Sequence, residues 1–188
     1  MSGSYGVQSA GLAGRTQIDL PAEVARAQWF SVLTRYRFEK RVAAQLDLKS
    51  VEVYLPLRTE HHHWSDRQTN VTIPLFPGYA FVKIDQSRES RRAVLQTAGL
   101  LGFVTFGGTV VPVPQTQIEH LQMLLQEKVL FSLHPFVHIG QRVRIRGGCL
   151  QGLEGVLLQH EKGKLVISIE SIQRSLAIEI QGYELDLV

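Results

Sequence analysis

The sequence predicts an α+β chain in two parts. An antiparallel sheet with helices packed on it occupies about residues 28–126, and a small β-barrel occupies 138–188. Three observations carry this reading. Up to residue 126, short β-prone runs interleave with segments of helical periodicity. Beyond it the helical period vanishes, and short apolar strands follow one another between glycines. Between the two, "EKVLFSLHPFV" (127–137) reads as a linker.

The elements follow in order. Residues 1–27 are rich in Gly, Ser, Ala and Gln without periodicity and read as a flexible tail. "QWFSVLT" (28–34) is a β-prone run. "RYRFEKRVAAQLDLK" (35–49) places Phe38, Val42 and Leu46 at i, i+4 and i+8, one stripe of an amphipathic helix, with Arg37, Lys40 and Arg41 toward the other side. "VEVYLPL" (51–57) is a second strand, and Pro56 marks an edge or a bend. "SDR" (65–67) is a hairpin turn into "QTNVTI" (68–73). "PLFPGYAFVKI" (74–84) holds a strand over 78–84 after a Pro-Gly turn. Ala80, Val82 and Ile84 fall on one face, and Tyr79, Phe81 and Lys83 on the other. Ser87 and Gly99 start and stop a short helix. "LLGFVTFGG" (100–108) is a strand ending in a turn, and 115–128 has Ile118, Leu121 and Leu125 at helical spacing.

In the second part, "QRVRIR" (141–146) alternates Val143 and Ile145 with Arg142, Arg144 and Arg146. "EGVLLQH", "KLVISIE", "RSLAIEI" and "YELDLV" follow. Gly147 and Gly148 permit the positive φ of a sharp reversal, and Gly155 inside an apolar run predicts a close backbone approach. Val143, Ile145, Val156, Leu165, Ile167, Ile169, Leu176 and Ile178 are the candidate barrel core.

Composition narrows the function classes. Of 188 residues, 44% are hydrophobic and 20% charged, the balance of a globular chain. No apolar run reaches the length that spans a bilayer, and the N-terminus lacks signal-peptide order, so no membrane association is expected. Cys149 is the single cysteine, which excludes an internal disulfide and points to a reducing cytoplasm. A net charge of +3 permits a nucleic-acid partner without requiring one. No phosphate loop, nucleophile elbow or metal-spaced His/Cys set is present, so neither enzymatic chemistry nor a cofactor is expected. The run "HHHW" (61–64) is no metal site, because consecutive residues on a strand alternate faces. Trp64 is either a base-stacking ring or a ring packed under the hairpin.

An opening "WF", the block "LFPGYAFVKID", then "GLLGFV", then "GQRVRIRGGCLQGLEGVL", in this order, resembles the NusG family of bacterial transcription elongation factors. The first part is similar to the NusG N-terminal domain and the second to a KOW module, an SH3-like barrel. The stretch "EVYLPLRTEHHHWSDRQTNVTIPLFPGYAFV" and "IQRSLAIEI" are more similar to specialised paralogues of the RfaH and capsule-operon antiterminator type.

The resemblance implies a monomer whose N-terminal domain binds the clamp helices of the RNA polymerase largest subunit. Matched residue by residue, the contacts are Trp29, Phe76, Tyr79 and Phe81. Core packing remains the competing assignment for all four, and for Trp29 and Phe76 the two stand level. Arg35, Arg37 and Arg41 match the region that reads the non-template DNA strand in specialised paralogues, and arginine forks suit phosphates and base edges. A solvated helix face is the alternative. Ser90, Arg91 and Arg92 match the contact with the polymerase gate loop, although the paralogues place small hydroxyl residues there. Leu150 and Leu153 stand in the KOW loop where housekeeping members carry phenylalanines, in the loop that meets Rho or a small-subunit ribosomal protein.

The function implied is operon-specific suppression of pausing or termination. The alternative is a ribosome- or RNA-associated KOW protein. Val- and Ile-rich, glycine-punctuated strands favour a barrel over a helical hairpin for the C-terminal part, and the expectation is that this barrel leaves the aromatic face open.

Overall fold

The computed structural model describes residues 27–64, 67–127, 129–136, 140–158 and 163–188. Residues 1–26 of the expected tail (1–27) and the hairpin tip (Ser65, Asp66) lie outside the described residues, as do the side chains of His61, His62, His63 and Trp64.

In chain order the N-terminal domain comprises β1 (Gln28–Thr34), α1 (Glu39–Leu48), β2 (Glu52–Tyr54), β3 (Leu57–Trp64), β4 (Arg67–Pro74), β5 (Tyr79–Ile84), α2 (Arg88–Leu95), β6 (Leu100–Phe103), β7 (Thr105–Phe106), β8 (Thr109–Val110), β9 (Pro112–Val113) and α3 (Gln115–Gln126). Its central antiparallel sheet runs β2-β5-β1-β6, with β9 also on β1. β3 and β4 form a separate long hairpin, and β7 and β8 a short one. β1 and β5 pair with Ser31 opposite Phe81 and Phe30 opposite Val82.

That register splits the sheet into two faces. Phe30, Val32, Ala80, Val82 and Ile84 face a core closed by Val42 and Leu46 of α1 and Val94 of α2. The predicted stripe of α1 is therefore the buried one. The helix starts at Glu39, four residues later than the periodicity suggests. Residues 35–38 form a turn in which Arg37 takes φ 66 and Phe38 N–H donates to the Arg35 carbonyl at 3.0 Å. Ser87 caps α2, its hydroxyl accepting from Ser90 N–H at 3.2 Å.

The C-terminal domain comprises β10 (Phe131–His134), β11 (Gln141–Arg146), β12 (Glu154–Leu157), β13 (Lys164–Ile169), a 3-10 turn (Glu170–Ile172), β14 (Arg174–Glu179) and β15 (Glu184–Leu187). They form one six-stranded antiparallel sheet in the order β10-β14-β13-β12-β11-β15. β10 corrects the linker reading, because residues 131–134 pair with β14 from Phe131↔Ile178 to His134↔Ser175. Gly147 and Gly148 have φ 76 and 73 in the turn after β11. At Gly155, a Cβ would lie 2.7 Å from the Val166 carbonyl, so β12 approaches β13 as closely as the sequence predicts.

Candidate interaction site: an aromatic face beneath the C-terminal domain

The second face of the central sheet carries the aromatic residues. The turn leading into β5 sets them. Gly78 adopts φ 82, its N–H donates to the buried Glu39 carboxylate at 2.7 Å, and Tyr79 N–H donates to the Phe76 carbonyl at 3.2 Å. A glycine is needed there because a side chain rarely tolerates that φ. Phe81 projects from β5 and its ring stacks on Tyr54 of β2, centroids 6.3 Å apart. Tyr54 in turn meets Trp29 of β1 edge-on at 6.4 Å. Trp29 Nε1 donates to Gln115 Oε1 at the start of α3, at 2.7 Å. The Tyr54 hydroxyl is buried without a hydrogen-bond partner, and burial raises its pKa well above the ordinary tyrosine range.

Trp29, Phe76 and Phe81 are buried, and Tyr79 is half-buried. All belong to or pack on one apolar cluster that continues through Ile118, Leu121 and Leu124 of α3 into Val143, Ile145, Leu165, Ile172 and Leu176 of the C-terminal domain. The face expected to be open is therefore covered. At its centre Ser31 lies on β1 between Trp29 and Leu33, directly across from Phe81. Its hydroxyl shares a 2.7 Å hydrogen bond with that of Ser171 in the 3-10 turn, and both residues are buried. The propensities that favour strands say nothing about where a finished barrel docks. An apolar face of this size is more stable covered than wet, at roughly 25 cal/mol per Å² of apolar surface.

Leu150 and Leu153 are also fully buried in the same cluster, which corrects the expectation of a partner-facing loop. Their turn folds inward because Gly152 N–H donates to the Ile145 carbonyl and Ile145 N–H to that of Leu153, both at 2.9 Å. His120 of α3 stands against this turn. Burial pushes its pKa below 6.5, while Glu154, a backbone hydrogen bond with Gly152 and Glu119 push back up. It lines a polar cleft of about 390 Å³ with Gln117, Arg142, Glu154 and Glu170.

The remaining candidates stay at the surface. Arg35, Arg37 and Arg41 are exposed around the turn that enters α1, with the Arg41 guanidinium 5.9 Å from the Phe38 ring. Arg91 and Arg92 are exposed on α2, and Ser90 is half-buried, its hydroxyl bonded to that of Ser87. Arg91 sits 5.7 Å over the Phe103 ring and lines a cleft of about 280 Å³ with Phe30, Ile84 and Asp85. Hydrogen bonds from Ser87 and Ser90 hold the Asp85 carboxyl below its usual range. Among the described residues no cluster of His, Cys, Asp or Glu suited to a metal ion occurs, and no helix is long and apolar enough to cross a membrane.

Sequence reading missed Tyr54, Gln115, Ser31, Ser171 and His120. Only Ser31 carried a signal, as a small polar residue alternating with Trp29 and Leu33 on a face otherwise apolar.

Comparison with known proteins agrees with this architecture. Residues 27–122 match the family model described as transcription termination factor NusG. The transcription termination/antitermination protein NusG of Lactococcus lactis is 26% identical over 170 residues, covering 84% of this chain and 91% of that protein. Its counterpart in Borreliella burgdorferi is 22% identical over 181 residues, covering 85% and 98%. A solved structure of Thermotoga maritima NusG shares the fold, with a TM-score of 0.50, 22% identity and coverage of 85% of this chain and 97% of that one. The family match takes in the whole central sheet and most of α3, so this chain belongs to the NusG family.

Proposed function

We propose that the protein is a transcription elongation and antitermination factor that docks on the clamp helices of RNA polymerase after its C-terminal domain has moved aside. The docking face is that of Trp29, Phe76, Tyr79 and Phe81, with Tyr54 added between the rings. The observation that carries this reading is the Ser31–Ser171 contact. A hydroxyl pair set in an apolar face adds only about 1 kcal/mol net to the apolar cover, and water or a polar partner satisfies both groups once the domains part. The aromatic anchors beneath it are of the kind that dominates an interface.

The factor performs no bond chemistry in this reading. Binding energy shifts a conformational equilibrium of the polymerase toward the uninterrupted state. Arg35, Arg37 and Arg41 meet the exposed non-template strand, and Ser90, Arg91 and Arg92 reach the gate loop. The likeness of residues 52–82 to specialised paralogues supports action on particular operons.

The test is a lock. Ser31→Cys with Ser171→Cys, in a Cys149→Ser background, joins the domains under oxidation. Capture of RNA polymerase is expected to vanish when oxidised and to return with reductant. Equal capture in both states excludes this face as the docking surface, and no capture in either excludes the polymerase as partner.

A further inference from the structure

We propose that Tyr36 is a stacking platform for an unpaired nucleobase, with Arg35, Arg37, Lys40 and Arg41 holding the phosphates beside it. This rests on the reading that the turn entering α1 meets an exposed nucleic-acid strand, and it adds the residue that recognises the strand as unpaired.

Tyr36 is 69% exposed, between two arginines. Its ring takes no part in either core. The Arg37 guanidinium sits 5.4 Å from the ring centroid, so one side of the ring already has a cationic partner. Aromatic rings beside guanidinium groups take bases of any identity, because every base has a π face.

The turn is held rather than loose. Thr34 N–H donates to the Gly78 carbonyl at 2.9 Å and Arg35 N–H to that of Gly99 at 2.8 Å. Phe38 packs on Gly99 so closely that a Cβ there would stand 2.8 Å from its ring. The Glu39 carboxylate, buried, is fixed to Gly78 N–H at 2.7 Å. Arg37 pays for this geometry with φ 66, a conformation that glycine or asparagine adopts more easily. Strain of this kind persists where neighbouring structure over-determines it, and often where the side chain has a task.

Charge points to the same partner. Arg35, Arg37, Lys40 and Arg41 are exposed, and none makes an ion pair among the described residues. The only carboxylate in the 35–41 segment is Glu39, which faces inward. Lys40 Nζ donates to the Thr72 carbonyl at 2.6 Å, which ties the basic turn to the β3–β4 hairpin. The full chain presents this turn at its surface with the C-terminal domain in place.

The test uses the full chain with a labelled twelve-nucleotide oligodeoxythymidylate, an oligouridylate of equal length, a blunt duplex and a polyglutamate of matched charge. Binding of the single strands is expected to exceed that of the duplex. Tyr36→Ala should weaken it at least fivefold and Tyr36→Phe less than twofold, while Arg37→Ala lowers the dependence on salt by about one phosphate contact. A preference between the two oligonucleotides identifies the strand as DNA or RNA. Tyr36→Ala equal to wild type overturns the platform while the arginine contacts stand. Wild-type binding to neither oligonucleotide removes the strand reading as well. Polyglutamate binding as tightly as the oligonucleotides assigns the turn to an acidic protein and overturns the proposal.

Discussion

Ser31 and Ser171 stand 140 residues apart in sequence and share one buried hydrogen bond of 2.7 Å between the central sheet and the 3-10 turn of the C-terminal domain. Because both hydroxyls are buried, neither is replaced silently. Ser31→Ala or Ser171→Ala alone leaves the other hydroxyl without a partner and should weaken closure by about 1–3 kcal/mol. The double variant leaves none stranded and should fall nearer wild type. Protease cleavage between α3 and β10 measures this, with each single variant cut faster than the double.

His120 gives closure a pH dependence. Its pKa lies below 6.5 in the closed arrangement, chiefly through burial, so the separated form takes up a proton first. The contribution of neutral His120 is fully present above about pH 6.5. It is lost as pH falls from there through the depressed value. Glu154 and Glu119 soften the effect, and Arg142 and Glu170 line the same cleft. Domain separation followed from pH 7.5 to 5.5 should rise in the wild type, and His120→Gln should flatten the curve.

Gly155→Ala should unfold the C-terminal domain at a lower temperature. The new methyl group would meet the Val166 carbonyl at 2.7 Å and Leu165 Cγ at 2.8 Å, and a backbone atom in a sheet has little room to move. A cost of about 1–3 kcal/mol follows. Thermal unfolding by circular dichroism reads it directly.

Glu39→Ala should destabilise the N-terminal domain by about 1–3 kcal/mol, because Gly78 N–H loses its acceptor. The turn bearing Phe76 would loosen with it. Chemical denaturation gives the first effect, and tryptophan fluorescence in a Trp64→Phe background, where Trp29 alone remains and shares the apolar cluster of Phe76, gives the second.

The strands and helices were legible wherever pattern is local. Alternation in "YAFVKI" separates a core face from an aromatic one, and Val42 and Leu46 of the predicted stripe are buried on α1, with Phe38 half-buried in the turn before it. What escaped depends on distant partners. Arg37 in a left-handed turn delays α1 to residue 39, and no glycine advertises it. "FSLH" has too little alternation to stand out, and only its ladder with β14 makes it a strand. The cover over the aromatic face is the extreme case. Trp29, Phe76 and Phe81 look the same in sequence whether they await a partner or already have one, so the assignment of face and the assignment of occupant are separate problems.

β10 also sets how far the C-terminal domain travels. With β10 paired to β14, only residues 127–130 join it to α3, a leash of roughly 17 Å at full extension. If β10 peels away, the leash runs from α3 to β11 at Gln141 and reaches roughly 50 Å. On the short leash the detached domain stays at high effective concentration over the face it has just left, and rebinding competes with any newcomer. On the long leash, about three times as long, that concentration falls about fivefold. In the proposed release, four residues of backbone pairing would therefore set how readily the domain closes again.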